Sequence, residues 1–295
     1  MKISRRDFIK LVGASAATLS VGAKFAPPSS VSSAAAPASP KDRTGILIDT
    51  TKCIGCKSCQ LACKKANNLP LDENPVCLSP TTLSIVDFRN VSKTKDKPEI
   101  KPVKIACMHC EDPACASVCP VGALKKTESG VVAYDPDVCI GCRYCMTACP
   151  FGIPKYDWNS NNPKISKCTQ ACMADGKREQ PACVGACPVQ ALSYGTRSDL
   201  MNIAKDRMHL APSRYFDHIY GEQEIGGTSR LYLSSIPFDQ FGFRTDMPNE
   251  PLPKLTWNAM EKIPYVLGSL AVLFSGIAWW THRVEKQVAP APIDK

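Results

Sequence analysis

Residues 139–150 read C-I-G-C-R-Y-C-M-T-A-C-P, with three cysteines at two-residue gaps, a fourth four positions on and a proline behind it. Thiolates are soft ligands, and their spacing indicates which metal they serve. A tight loop bearing Cys139, Cys142 and Cys145 can wrap three corners of an iron–sulfur cubane, with Gly141 letting the backbone curl close to the inorganic sulfides. Cys149 then leaves on the next helical segment toward a second cluster, and Pro150 stops that segment. One such run implies another, and three more are present. Cys53, Cys56, Cys59 and Cys63 repeat the spacing with Lys64 in place of the proline. Cys107, Cys110, Cys115 and Cys119 have a wider middle gap containing Pro113 and close on Pro120. Cys168, Cys172, Cys183 and Cys187, closed by Pro188, form the least regular group, with a three-residue first gap and a ten-residue polar loop before Cys183. The added residue displaces one thiolate by up to ~3.5 Å in an extended loop.

Of the 17 cysteines, sixteen fall in these groups, and the odd count argues against a fully paired disulfide framework. Three cysteines within seven residues also cannot all reach partners with bridge geometry. A zinc scaffold is the other alternative, but zinc sites use C-x2-C pairs far apart and leave a third nearby cysteine without a role. His109 lies inside the second group, where four cysteines already stand, and is expected as a packing or hydrogen-bonding neighbour rather than a ligand. Cys77, between Val76 and Leu78, is expected to be a buried structural thiol. The formal charge of +9 does not point to nucleic acid. Residues 1–36 hold five basic and one acidic side chain, so +5 remains beyond them. Four cubanes with their thiolates carry about −8 in total, so the basic residues read as internal compensation.

The elements that must position these groups follow the same order four times: cysteine group, short helix, strand. Residues 45–49 predict a strand feeding the first group. Residues 67–103 form an insertion, with strands expected over 81–88 and 99–105 around a charged turn at 93–98. Residues 131–135 predict the strand before the third group and residues 191–196 the strand after the fourth. Residues 200–210 have the pattern of a surface-packed helix, and residues 230–233 look strand-like. The expected class is α+β. Two ferredoxin-like modules of two clusters each are the economical arrangement, since every fourth cysteine crosses to a partner cluster. The spacing alone does not say which groups pair.

The order of the groups, with the C-x2-C-x4-C-x3-C-P second member and the wide fourth, resembles the four-cluster electron-transfer beta subunits of membrane oxidoreductases. These accompany formate dehydrogenases, dimethyl sulfoxide and polysulfide reductases, and uptake hydrogenases. The likeness covers residues 44–200. It implies that the first and fourth groups share two clusters, one on Cys53, Cys56, Cys59 and Cys187, its neighbour on Cys63, Cys168, Cys172 and Cys183. It also implies a third cluster on Cys107, Cys110, Cys115 and Cys149 and a fourth on Cys119, Cys139, Cys142 and Cys145. The family has two residues in the first gap of the last group, so Cys168 and Cys172 depart from its pattern. Residues 201–258 look like the extension of the anchored iron–sulfur subunit of Hyb-type uptake [NiFe] hydrogenases.

The two ends bear on location. S-R-R-D-F-I-K at residues 4–10, with a weakly apolar run and small residues behind it, resembles a twin-arginine export signal over residues 1–36, with a linker at 37–43. Such signals serve proteins exported folded, which lets clusters reach an oxidising compartment intact. Residues 263–281 lack any charge and span about 28 Å as a helix, enough to cross a membrane. Trp279 and Trp280 suit the interface, and His282, Arg283 and Lys286 suit its cytoplasmic side, so residues 262–282 are expected to span and 283–295 to lie in the cytoplasm. No phosphate loop, dinucleotide fingerprint or nucleophile triad is present. The expected function is therefore electron relay without a catalytic site of its own. The partners implied are a periplasmic hydrogenase, with a molybdenum or tungsten enzyme as the alternative, and a polytopic quinone-reactive membrane subunit.

Overall fold

The computed structural model describes residues 43–72, 75–92, 98–158, 164–173 and 178–288. The export signal, nearly all of the linker and the end of the tail lie outside these residues. In chain order come β1 (Thr44–Asp49), helix α1 (Ser58–Ala66), β2 (Ser84–Asn90), β3 (Ile100–Ala106), helix α2 (Ala114–Ser117), β4 (Leu124–Lys126) and β5 (Val132–Tyr134). They are followed by α3 (Tyr144–Ala148), β6 (Lys155–Tyr156), β7 (Ile165–Ser166), α4 (Ala182–Gly185), β8 (Leu192–Thr196), α5 (Arg197–Leu210), β9 (Arg230–Leu233), α6 (Leu252–Met260) and α7 (Ile263–Val288).

The apolar run of β1 is buried on both faces, which explains why it lacks a polar alternation. It pairs antiparallel with β8 and parallel with β9, giving the order β8-β1-β9. Successive strand residues point to opposite faces. Leu47, Leu231 and Leu233 pack under α5 against Leu200, Met201 and Ala204. Ile46, Ile48 and Tyr232 face the other side, among Leu192, Cys183 and Val184. Helix α5 begins at Arg197, three residues before the expected start, because Thr196 caps it by accepting the Asp199 N–H at 3.2 Å. The helix therefore crosses the boundary drawn at residue 200. Asp49, fully buried at the end of β1, accepts from Arg207 at 3.2 Å and from the Tyr215 hydroxyl at 2.9 Å, tying the sheet to the following extension.

The insertion forms the expected hairpin, with β2 and β3 antiparallel from Ser84 opposite Ala106 to Asn90 opposite Ile100. Where the first group lacks a proline, α1 continues through Lys64 to Ala66. The buried Lys64 ammonium donates to the carbonyls of Pro70 and Thr81 and pairs with Asp72, holding the insertion onto the helix. Cys77 is solvent-exposed, contrary to the buried site expected from its apolar neighbours, and Val76 beside it is 90% exposed. Two apolar neighbours in a loop do not bury a thiol when no element covers them. Helices α1 and α4 pack together, as do α2 and α3. At the C-terminal side, residues Leu252–Val284 include a stretch long and apolar enough to cross a membrane, with mean hydropathy 1.6 and none of it buried against the chain.

Candidate metal centres

In each group the third and fourth cysteines stand four positions apart around a short helix: Cys59 and Cys63 on α1, Cys115 and Cys119 at α2, Cys145 and Cys149 at α3, Cys183 and Cys187 at α4. On α1 the two residues stand one helical turn apart, whereas Cys119, Cys149 and Cys187 follow the ends of their helices. The loop before each helix uses the left-handed region at the second residue after its first cysteine. Gly55 (φ 71°) and Gly141 (φ 69°) do this without a side chain, whereas His109 (φ 49°) and Gln170 (φ 53°) do it with one. In the fourth group the extra residue, Ala171, follows Gln170 just before Cys172. After the fourth cysteine of three groups comes another left-handed residue, Gly122, Gly152 or Gln190. Two of these turns aim the next amide at sulfur: Ala123 N–H donates to Cys119 Sγ at 3.2 Å and Ala191 N–H to Cys187 Sγ at 3.3 Å.

These loops bring the sixteen cysteines into four sets. Cys53, Cys56, Cys59 and Cys187 line one small cavity, and Cys63, Cys168, Cys172 and Cys183 line another. Burial pushes the Cys110 thiol well up, and so do its neighbours Cys107, Cys149 and Cys115. Burial pushes Cys145 up to about 11, with Cys139, Cys142 and Cys119 adding to the effect. Cys115 is driven to about 12 by burial and then Cys107, and Cys63 to about 11 by burial and then Cys168. Cys56 behaves in the opposite way: it is exposed, and the Ser58 hydroxyl and N–H hold its thiol below the ordinary range. Thiols crowded and buried in this way resist ionisation as free groups, whereas a coordinating metal deprotonates them.

Buried cations stand among the sets. Lys104, on β3, lines both cavities and donates to Ser84 Oγ at 3.0 Å. Burial alone would lower its pKa, but Cys59, Cys183 and Cys63 outweigh that and raise it. Arg230, on the cluster-facing side of β9, donates from Nη2 to Cys168 Sγ at 3.3 Å. Its Nε and Nη1 are buried without a protein partner. Lys167 lies near Cys115 and Lys126 near Cys110. His109 accepts the Val132 N–H on Nδ1 at 2.9 Å, so Nε2 carries the ring proton. Burial, Arg230, Lys167 and Lys126 together keep the ring neutral. At the fourth set the Tyr134 hydroxyl is hydrogen-bonded to Cys139.

The sequence reading did not single out Lys104, Arg230, Lys126 or Lys167. The available signal was a cation set inside an otherwise apolar strand, as in V-K-I-A around Lys104 and R-L-Y-L from Arg230. Among the described residues, no three Cys, His, Asp or Glu side chains approach closely enough to share one metal ion. Thiolates on a cubane each hold a separate iron. The unpartnered guanidinium donors, the crowded thiols and the two cysteine-lined cavities fit a 4Fe-4S cluster.

The 4Fe-4S dicluster domain family matches residues 99–197. A protein of Nitratidesulfovibrio vulgaris is 39% identical over 299 residues, which is 97% of this chain and 79% of that protein. The hydrogenase-2 operon protein HybA of Escherichia coli O157:H7 is 39% identical over 86% of this chain and 84% of its own length. The iron–sulfur subunit of the nitrate-inducible formate dehydrogenase of Escherichia coli K12 is 34% identical over 63% of this chain and 66% of its own length. With ferredoxin-type cysteine groups, thiols gathered in sets and relatives of this extent, the chain belongs to the HybA-like family of 4Fe-4S iron–sulfur subunits that transfer electrons within oxidoreductase complexes.

Proposed function

We propose that the chain carries four 4Fe-4S clusters, one on each cysteine set, and relays electrons from a periplasmic [NiFe] hydrogenase to an integral quinone-reactive subunit. The observation carrying this reading is the sequence of shared neighbours among the sets. Lys104 lines the cavities of the Cys53 and Cys63 sets, Arg230 feels both Cys168 and Cys107, and Cys115 feels Cys145. These contacts support the order Cys53, Cys63, Cys107, Cys139 and an arrangement as two ferredoxin-like modules joined near Arg230. When bound, each cluster supplies a site that takes up and releases one electron. The chain's residues keep the inner thiolates dry, supply N–H donors to sulfur and compensate charge. The exposed Cys56 and Cys142 put the first and last sets at the surface, where an electron enters or leaves.

The apolar helix α7 is proposed as a single membrane anchor, with the cluster domain on the periplasmic side after twin-arginine export. In support, α6, which leads into α7, touches α2, the helix between the last two sets. Hydrogenase is preferred as the partner because the HybA match spans 86% of this chain, against 63% for the formate dehydrogenase subunit. Anaerobic purification of the native complex tests the reading. The expected result is about sixteen irons with equal sulfide per chain and nickel in the co-purified partner. Molybdenum or tungsten there would replace the hydrogenase reading, and zinc without iron would end the relay reading altogether. A reporter fused after Lys295 is expected to be active only in the cytoplasm, and periplasmic activity would reverse the topology.

A further inference from the structure

Arg230 holds a position that the cysteine pattern does not explain. It is 1% exposed, lies on the central sheet rather than on a cluster loop, and comes from the extension whose sequence shows no chemistry. Ile46 opposite it in β1 is also fully buried. Its Nη2 donates to Cys168 Sγ at 3.3 Å, while Nε and Nη1 are buried with no acceptor in the protein. A buried guanidinium with unused donors is costly, which favours a negative partner beyond the protein atoms. Cys168 and Cys183 act on this guanidinium most strongly, and Cys107 acts on it more weakly. Those residues belong to different sets, and the segment leading into Arg230 lies against the second group: Ser229 donates its N–H to the His109 carbonyl at 3.1 Å and Thr228 bridges to Cys110.

We propose that Arg230 is a positioning residue that serves two clusters at once: its fixed charge raises the reduction potentials of the Cys63 and Cys107 sets together, making the two inner sites a matched pair. This rests on the four-cluster reading above. Reduction adds one electron, and so one negative charge, at a site, and a nearby positive charge favours that addition. Hydrogen bonds to cluster sulfur act in the same direction. The end sets, around Cys53 and Cys139, are expected to keep their potentials. Because Cys168 accepts the direct hydrogen bond, the Cys63 set is expected to respond more than the Cys107 set.

The test is EPR-monitored redox titration of the anaerobically purified full chain in its native complex, comparing the parent with Arg230→Gln and Arg230→Lys. In Arg230→Gln, with iron content unchanged, two of four potentials are expected to fall. The larger fall should be at least tenfold in the reduced-to-oxidised ratio at fixed potential, about 59 mV for a one-electron couple. Arg230→Lys is expected to restore most of that shift, which a merely structural role would not do. Four unchanged potentials, or four equal shifts, would overturn the proposal. Should the variants not load, the parent protein decides: with arginine labelled by 15N in the guanidinium, a pulsed-EPR nitrogen coupling to a reduced cluster is expected, and its absence overturns the proposal. A parent chain holding fewer than about sixteen irons would remove the four-cluster reading first, and this proposal with it.

Discussion

The loops at residues 53–59 and 139–145 are near copies of each other, whereas those at 107–115 and 168–183 depart from them. The first pair place a glycine in the left-handed region and then a left-handed cation, Lys57 or Arg143, before the helix. Each exposes its second cysteine, and Ile54 and Ile140 are exposed to 63% and 64%. The second pair put His109 and Gln170 where the glycines stand, and both side chains are buried. Around them lie Arg230, Lys167 and Lys126 or, at the fourth group, Arg230 and Lys104. Thiolate charge at the exposed second cysteine of an end loop is screened by water. Inside, that screening must come from side chains, and the inner loops depart from the regular motif where those side chains and their supports intrude.

Ligand substitutions break this comparison most severely. Cys183→Ser, at a buried thiol, is expected to lose about four irons and to reduce accumulation of the folded chain sharply, because an inner set is also part of the core. Cys142→Ser, at an exposed thiol, is expected to lose about the same iron at most while the chain still accumulates. Iron analysis beside the yield of soluble complex measures both. Equal loss of yield at the two sites would show that the end loops support the core as much as the inner ones.

Next in size is Lys104, which borders one end set and one inner set. Lys104→Met leaves the thiolates on both sides without their buried cation and is expected to destabilise the loaded chain by about 3 kcal/mol. Anaerobic thermal unfolding measures this, and a change under about 0.5 kcal/mol, typical of a surface site, would remove Lys104 from the charge compensation.

Much of this was legible in the sequence because each cysteine group carries its own geometry. Three thiols on a loop, a helical turn and a stop are local, so the repeat and the strands at 44–49, 132–134 and 192–196 follow from neighbours in the chain. The buried cations were not legible, because their role depends on contacts far apart in sequence. Arg230 reaches Cys168 from β9, which pairs parallel with β1, and Lys104 lines both cavities from the hairpin of the insertion. His109 illustrates the same limit. Its neighbourhood with cysteines is visible in the chain, but the Val132 N–H that it accepts comes from a strand over twenty residues away. The burial expected for Cys77 failed for the converse reason, since local apolarity was used where only tertiary cover decides.

Exchanging the left-handed residues sharpens the comparison at a smaller scale. In Gly55→Ala a methyl group would meet the Phe88 ring at 2.7 Å, on a backbone at φ 71° that already disfavours side chains. A loss of about 2 kcal/mol is expected from the left-handed strain and the contact together. His109→Gly relieves that kind of strain but leaves the buried Val132 N–H without its acceptor, which costs about 1–3 kcal/mol. The net is expected to be a loss of about 1 kcal/mol once the relief of about 1 kcal/mol is subtracted. Thermal unfolding of the loaded chains compares the two, and a stabilised His109→Gly would mean that the inner loop keeps histidine for a reason other than this hydrogen bond.

The smallest expected effect separates an end-loop cation from the inner ones. The Arg143 guanidinium sits 4.9 Å from the Tyr156 ring centre and 4.7 Å from that of Trp158, and the two rings meet edge to face at 5.1 Å. Arg143 also occupies the N-cap of α3, where a positive charge gains nothing from the helix dipole, so the stack is the favourable contact available to it. At a partly exposed site such stacking contributes about 0.5–1 kcal/mol. Arg143→Gln keeps part of the stem and removes the cation, so a loss within that range is expected, with iron content and all four potentials unchanged. If a cluster potential moved on this substitution as it is expected to on Arg230→Gln, the end loops would depend on fixed charge as the inner ones do, and screening by water would not account for the difference between them.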